Sequence, residues 1–171
     1  CLAPVAASVQ ASTSTVFPCR LPFVATPLPQ IYDCLRKSDT GQPEPGEFSA
    51  HEIIVHCADS ETNSHSRIRY VLAEENAQIV GYDPGHWAAT FDYQNHPVDA
   101  AMLTVEAVRA NTVPILRSLA EGDWAKAGTH SEHGPGYSAE LWLTIYAAHC
   151  HEHAVQIDAV VSAWRAAGKP S

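Results

Sequence analysis

The sequence predicts an all-α domain built as a four-helix bundle, on three observations. Phe48 to Glu75 runs without proline or glycine, with apolar residues at 54, 57, 58, 68, 71 and 72 in helical spacing. Val98, Ala101, Met102, Val105 and Val108 form a second helical stripe. Tyr137 to Ala167 is a third long segment that no glycine or proline interrupts. A chain of 171 residues suits one domain, expected over residues 28–171.

Taken in order, residues 1–27 are rich in Ala, Ser, Thr and Pro and contain no acid, and they read as a loosely packed extension. They lack the basic region and clean apolar segment of a signal peptide, and the missing initiator Met reads as a truncated or mis-set start. A short first helix is expected in "LPQIYDCLRKS", closed by Gly41 and the breaker run "GQPEPGE". The second helix opens at Ser49, with Glu52 three residues on in the capping-box pattern, and runs to about Glu75. A long loop, "NAQIVGYDPGHWAATFDYQNH", leads to a third helix from Pro97 to Glu121, which Pro114 is expected to kink or divide. After a second loop, "GDWAKAGTHSEHGPG", the last helix should run from Tyr137 to Ala167 and stop at Gly168 and Pro170. Four helices with a long loop between the second and third suggest a bundle with a crossover connection.

Composition narrows the function. No apolar run approaches the roughly 18 residues of a membrane-spanning helix, so no membrane partner is expected. The formal charge is −9 and the ten Lys plus Arg are scattered, which argues against nucleic acid. Five cysteines without a CxxC fit neither a disulfide framework nor a zinc ribbon, and a reducing cytoplasm is the expected compartment.

The chemistry is concentrated in "YAAHCHEHAVQI". In a strand His149, His151 and His153 would share a face. In a helix, i and i+4 come together, so His149 and His153 pair while His151 points away. The alanine-rich flanks "LWLTIYAA" and "AVQIDAVVSAW" decide for helix. There Trp142, Ile145, His149, His153, Gln156 and Val160 fall in one band, the expected core stripe. Two imidazoles aimed inward need partners, either other polar groups or a metal, and helical HxxxH is a common zinc-ligand arrangement. A further ligand would come from the other histidines. His56 stands on a helix face with Glu52, Ile53, Asp59 and Asn63, and that polar face alone reads as an ordinary solvated one.

Several motifs together resemble a known family. "FSAHEIIVHCADSE" resembles the WSxxEIxxHLxDxE motif of the DinB/YfiT superfamily of metal-dependent four-helix-bundle proteins, and "YAAHCHEHAVQI" resembles its AxHxxxHxxQI motif. "GYDPGHWA" and "THSEHGPGYSAELWLTIYAAH" are similar to its YDxxxWA and HxExGxxTLxxWLxxxAxH stretches. The first two histidines are 149 − 56 = 93 residues apart, close to the family's separation, and the likeness covers about residues 28–165. Phe48 and Cys57 replace the family's Trp and Leu. The resemblance implies a three-histidine metal site of His56, His149 and His153, an up-down-down-up bundle, and pairing as a homodimer.

Three neutral imidazoles would leave a cation's charge uncompensated and positions open, so that a bound water is acidified or a bound thiol ionised. Zinc is the first expectation, with nickel and iron as alternatives. The expected activity is that of a metal-dependent enzyme acting on a small molecule. Thiol-dependent S-transfer, with a low-molecular-weight thiol as partner, is what the resemblance implies. A hydrolase, or a bundle whose metal is only structural, is the alternative. Asp59 and Glu52, each about one turn from His56, are the candidates for a base or for orienting an imidazole. Tyr82, Asp83, His86 and Trp87 could cover the site, and His130 could approach it. Cys57 and Cys150 should turn away from the metal and serve packing.

Overall fold

The computed structural model describes residues 46–168. The extension over 1–27 and the first helix expected within 28–38 lie outside the described residues. Helix α1, Ala50–Ala73, begins as its sequence dictates: Ser49 Oγ accepts the Glu52 N–H at 3.2 Å and Glu52 Oε2 accepts the Ser49 N–H at 2.9 Å. It ends before Asn76, which takes a left-handed φ of 58°. Strand β1, Gln78–Ile79, and helix α2, Pro84–Thr90, follow, the latter capped by Asp83. A 3₁₀ turn at Tyr93–Asn95 leads into α3, Val98–Ser118. A second 3₁₀ turn, Glu121–Ala125, precedes β2, Ala127–His130, β3, Gly134–Ser138, and the 28-residue α4, Ala139–Ala166.

Two expectations are corrected. Pro114 does not divide the third helix. It stands near the C-terminal end of α3, where little helix remains to be disturbed, and α3 stays continuous. The two segments expected as loops carry a small sheet of order β1-β2-β3. β1 runs parallel to β2, pairing Gln78 with Thr129 and Ile79 with His130, and β2 runs antiparallel to β3. These strands are too short and glycine-rich to show an alternating pattern. Gly128 makes the pairing possible, since a Cβ there would lie 2.5 Å from the Ala77 carbonyl oxygen.

Helix α1 packs against both α3 and α4. One apolar cluster, around Ile68, Val71, Leu116, Trp142 and Tyr146, fills the end near the sheet. Another, around Ile53, Ile54, Met102, Val105 and Ile157, fills the opposite end. Between them lies a buried polar layer. Arg109 of α3 donates to Glu61 of α1 at 2.7 Å, Cys150 Sγ of α4 donates to the same carboxylate at 3.3 Å, and the Trp142 indole donates to Ser64 O at 3.0 Å. This layer fixes α1, α3 and α4 in register, because a buried charge left without its partner is costly.

Candidate metal centre

The deepest line on α4 is Trp142, Leu143, Tyr146, Cys150 and Ile157, rotated from the band expected from sequence. His149 and His153 therefore stand half-buried at its edge and His151 is exposed.

Across from them, α1 presents His56, 7 % exposed. The sequence-predicted trio comes together: one nitrogen from each of His56, His149 and His153 lies within 4.8 Å of the others. Ring centroids of His56 are 5.3 Å from His149 and 5.0 Å from His153. His149 Nε2 and His153 Nε2 are 3.2 Å apart. At metal–nitrogen bonds of about 2.0–2.1 Å, two tetrahedral ligands are about 3.3–3.4 Å apart, so this pair already has the spacing a cation requires. Gln156 Oε1 lies 2.9 Å from His153 Nδ1. With the amide oxygen accepting, the proton is held on Nδ1 and the Nε2 lone pair is free.

Electrostatics suits the same use. Burial, and secondarily His153, lowers His56 to a pKa of about 4. Burial, then His153 and His56, lowers His149 to about 3. Both rings are neutral at pH 7 and able to act as ligands. His56 Nδ1 and His149 Nδ1 are buried without a hydrogen-bond partner. A buried nitrogen without a protein partner is the exception in folded chains and points to a water, ion or ligand beside it.

The other expected residues fall differently. Glu52 is engaged in the N-cap of α1, and Asp59 accepts a hydrogen bond from the Tyr93 hydroxyl. Tyr82 reaches the site, its ring 6.4 Å from His56 and 4.2 Å from Trp87, while Asp83 caps α2 and His86 is exposed. His130 is buried on β2, where its Nδ1 accepts the Glu132 N–H at 3.1 Å, and it groups with Glu132 and His133 apart from the trio. Cys57 and Cys150 are buried as expected, but they do not turn wholly away. Their sulfurs and a His149 nitrogen lie within 4.8 Å of one another. The 100° step that separates neighbours on one helix leaves a thiol within reach of a ring when a second helix packs closely.

Sequence reasoning passed over Gln156 and Ser60 as functional side chains. Both carried a signal: Gln156 follows His153 by three residues and Ser60 follows His56 by four, the spacings that share a helix face. Ser60 Oγ lies 3.5 Å from His149 Nε2.

The sequence profile of the DinB superfamily matches residues 33–157, a span that includes all three histidines. The chain belongs to the DinB superfamily. A protein of Oceanobacillus iheyensis named "putative metal-dependent hydrolase" is 32% identical over 112 residues, covering 66% of this chain and 64% of its own length. Relatives of the same description from Bacillus mycoides and Bacillus cereus are 29% and 30% identical over the same shares. The match thus spans a little under two thirds of these relatives. Among solved structures, YfiT from Bacillus subtilis is described as "a probable metal-dependent hydrolase with an unusual four-helix bundle topology". It aligns with a TM-score of 0.71 over 95% of each chain at 17% identity, a likeness of fold. This DinB-superfamily chain is accordingly an all-α bundle. Among its described residues no helix is long and apolar enough to cross a membrane.

Proposed function

We propose that His56, His149 and His153 hold one divalent cation and that the chain is a metal-dependent enzyme. The observation that carries this reading is the His149–His153 nitrogen pair at 3.2 Å with His56 completing the trio. Zinc is the cation we assign first, with nickel or iron as alternatives that imidazole also suits. Three protein ligands among the described residues, rather than four, leave a position for a reactant. A bound cation supplies positive charge that lowers the pKa of the water or thiol beside it. The remaining work falls to the chain. Gln156 orients the His153 ring, and burial keeps His56 and His149 unprotonated. Tyr82, pushed up to about 12 chiefly by burial, keeps its proton at pH 7 beside His56, its ring 6.4 Å from the imidazole.

Within that reading we favour thiol-dependent transfer. Among the described residues the nearby carboxylates are engaged: Glu52 at the N-cap, Asp59 with Tyr93 and Glu61 with Arg109. A bound thiolate carries no proton to move as it adds, whereas a bound hydroxide must still pass its remaining proton toward the leaving group, which calls on a proton-transferring side chain. The thiolate sulfur forms a bond to an electrophilic carbon, and the leaving group departs with its electron pair. Hydrolysis, named for the relatives, is the second reading.

The test uses zinc-loaded protein with 2-mercaptoethanol and chlorodinitrobenzene, beside p-nitrophenyl acetate without thiol. Thiol-dependent arylation above the uncatalysed rate, lost in His149→Ala/His153→Ala, is the expected result. Ester hydrolysis alone would establish the second reading. Zinc bound with neither reaction detected would count against both in favour of a structural ion.

A further inference from the structure

Arg67 projects from α1 eleven residues after His56, three turns on and on nearly the same azimuth. Its Nη1 donates to the Tyr146 hydroxyl and its Nη2 to Val80 O, each at 2.8 Å. Its Nε–H is buried and has no acceptor. The guanidinium lies 5.9 Å from the centre of the Tyr82 ring, and that ring is 6.4 Å from His56. On the α4 side, Tyr146 is 6.2 Å from His149. Arg67 is thus one side chain removed from the three histidines by two separate routes.

Among the described residues its charge has no ion-pair partner. The ion pairs among the described residues join Arg109 to Glu61 and Lys126 to Asp123, and neither includes Arg67. Asp59 and Glu52 are engaged elsewhere, as above. A permanent guanidinium and a cation centre held by neutral imidazoles would face one another across Tyr82, with no carboxylate of the described residues paired to the guanidinium. A half-buried guanidinium with a free Nε–H edge is the arrangement that takes a planar carboxylate through paired N–H bonds.

We propose that Arg67 receives a carboxylate of the small molecule used at the three-histidine centre, so that its ligands are short anionic compounds with a metal-binding group at one end and a carboxylate at the other. This rests on the metal-dependent reading of that centre and names the ligand class for it. Tyr82, whose face covers the guanidinium, would then move or reorient as the carboxylate enters.

Two arms keep the inference separate from the reading beneath it. In metal-free, ¹⁵N-labelled protein, propionate should shift the Arg67 Nε–H resonance saturably, and propionamide should not. In cobalt(II)-loaded protein, spectral titration should show 3-mercaptopropionate binding about tenfold more tightly than the isosteric 3-mercaptopropionamide. In Arg67→Gln that preference should vanish while cobalt content and amide affinity hold, and Arg67→Lys, which keeps charge but loses the Nε–H edge, should restore only part of it. Equal binding of the two thiols by the wild type, or a preference that survives Arg67→Gln, would overturn the proposal. Inorganic phosphate shifting Nε–H at lower concentration than propionate would overturn the carboxylate assignment. Failure to bind cobalt would sink the metal reading, and the propionate arm would still decide whether Arg67 is an anion site.

Discussion

Lowering the pH of the metal-free protein from 7 to 5 should cost it about 4 kcal/mol of stability, with His56 and His149 contributing about 2 kcal/mol each. Burial first, and neighbouring imidazoles second, hold these rings at pKa values of about 4 and about 3 in the folded chain. In the unfolded chain each returns to about 6.5. At pH 5 the unfolded state has therefore taken up nearly two protons that the folded state refuses. Their stabilising effect is complete above pH 6.5 and is lost as the pH falls toward the folded values, at up to about 1.4 kcal/mol per pH unit for each ring. Against a typical total of about 5–15 kcal/mol the loss is large. Urea unfolding of chelator-treated protein at the two pH values measures it, and His149→Leu should lose about half of the dependence. An unchanged midpoint, or an equal drop in a His56→Leu/His149→Leu variant, would refute the burial argument.

Other consequences are as direct. Glu61→Ala removes the buried acceptor that Arg109 and Cys150 share and should cost about 3–5 kcal/mol in thermal or urea unfolding. Gln156→Ala frees the His153 ring and should weaken zinc binding by about 10–100-fold in competition with a chromophoric chelator. Ser49→Ala removes the oxygen that caps α1 and should cost about 1 kcal/mol. Gly128→Ala would press a methyl against the Ala77 carbonyl and should destabilise by about 1–3 kcal/mol, with loss of amide protection at Thr129, whose N–H bonds to that same carbonyl.

The elements legible in the sequence were those whose signals are local. Ser49 and Glu52 announce the start of α1 because capping is a contact over three residues. The pairing of His149 with His153 follows from helix geometry. His56 was different. Its own surroundings read as a polar surface, and only motif resemblance pointed it inward, because its burial depends on α4 arriving from 93 residues away. The three-stranded sheet stayed hidden since two residues of β1 and a glycine-rich β2–β3 hairpin carry no period. The roles of Asp59 and Arg67 were also out of reach. Their partners, Tyr93, Tyr146 and Val80, stand on segments whose approach is set by tertiary packing.

Metal content tests the central claim most directly. Protein purified without a histidine tag, dialysed and analysed by plasma mass spectrometry beside His56→Ala and His149→Ala/His153→Ala, should carry about one divalent cation per chain in the wild type and almost none in either variant. Wild-type protein that stays metal-free after reconstitution with zinc, nickel or iron, or variants that keep a full equivalent, would contradict a cation held by these three histidines.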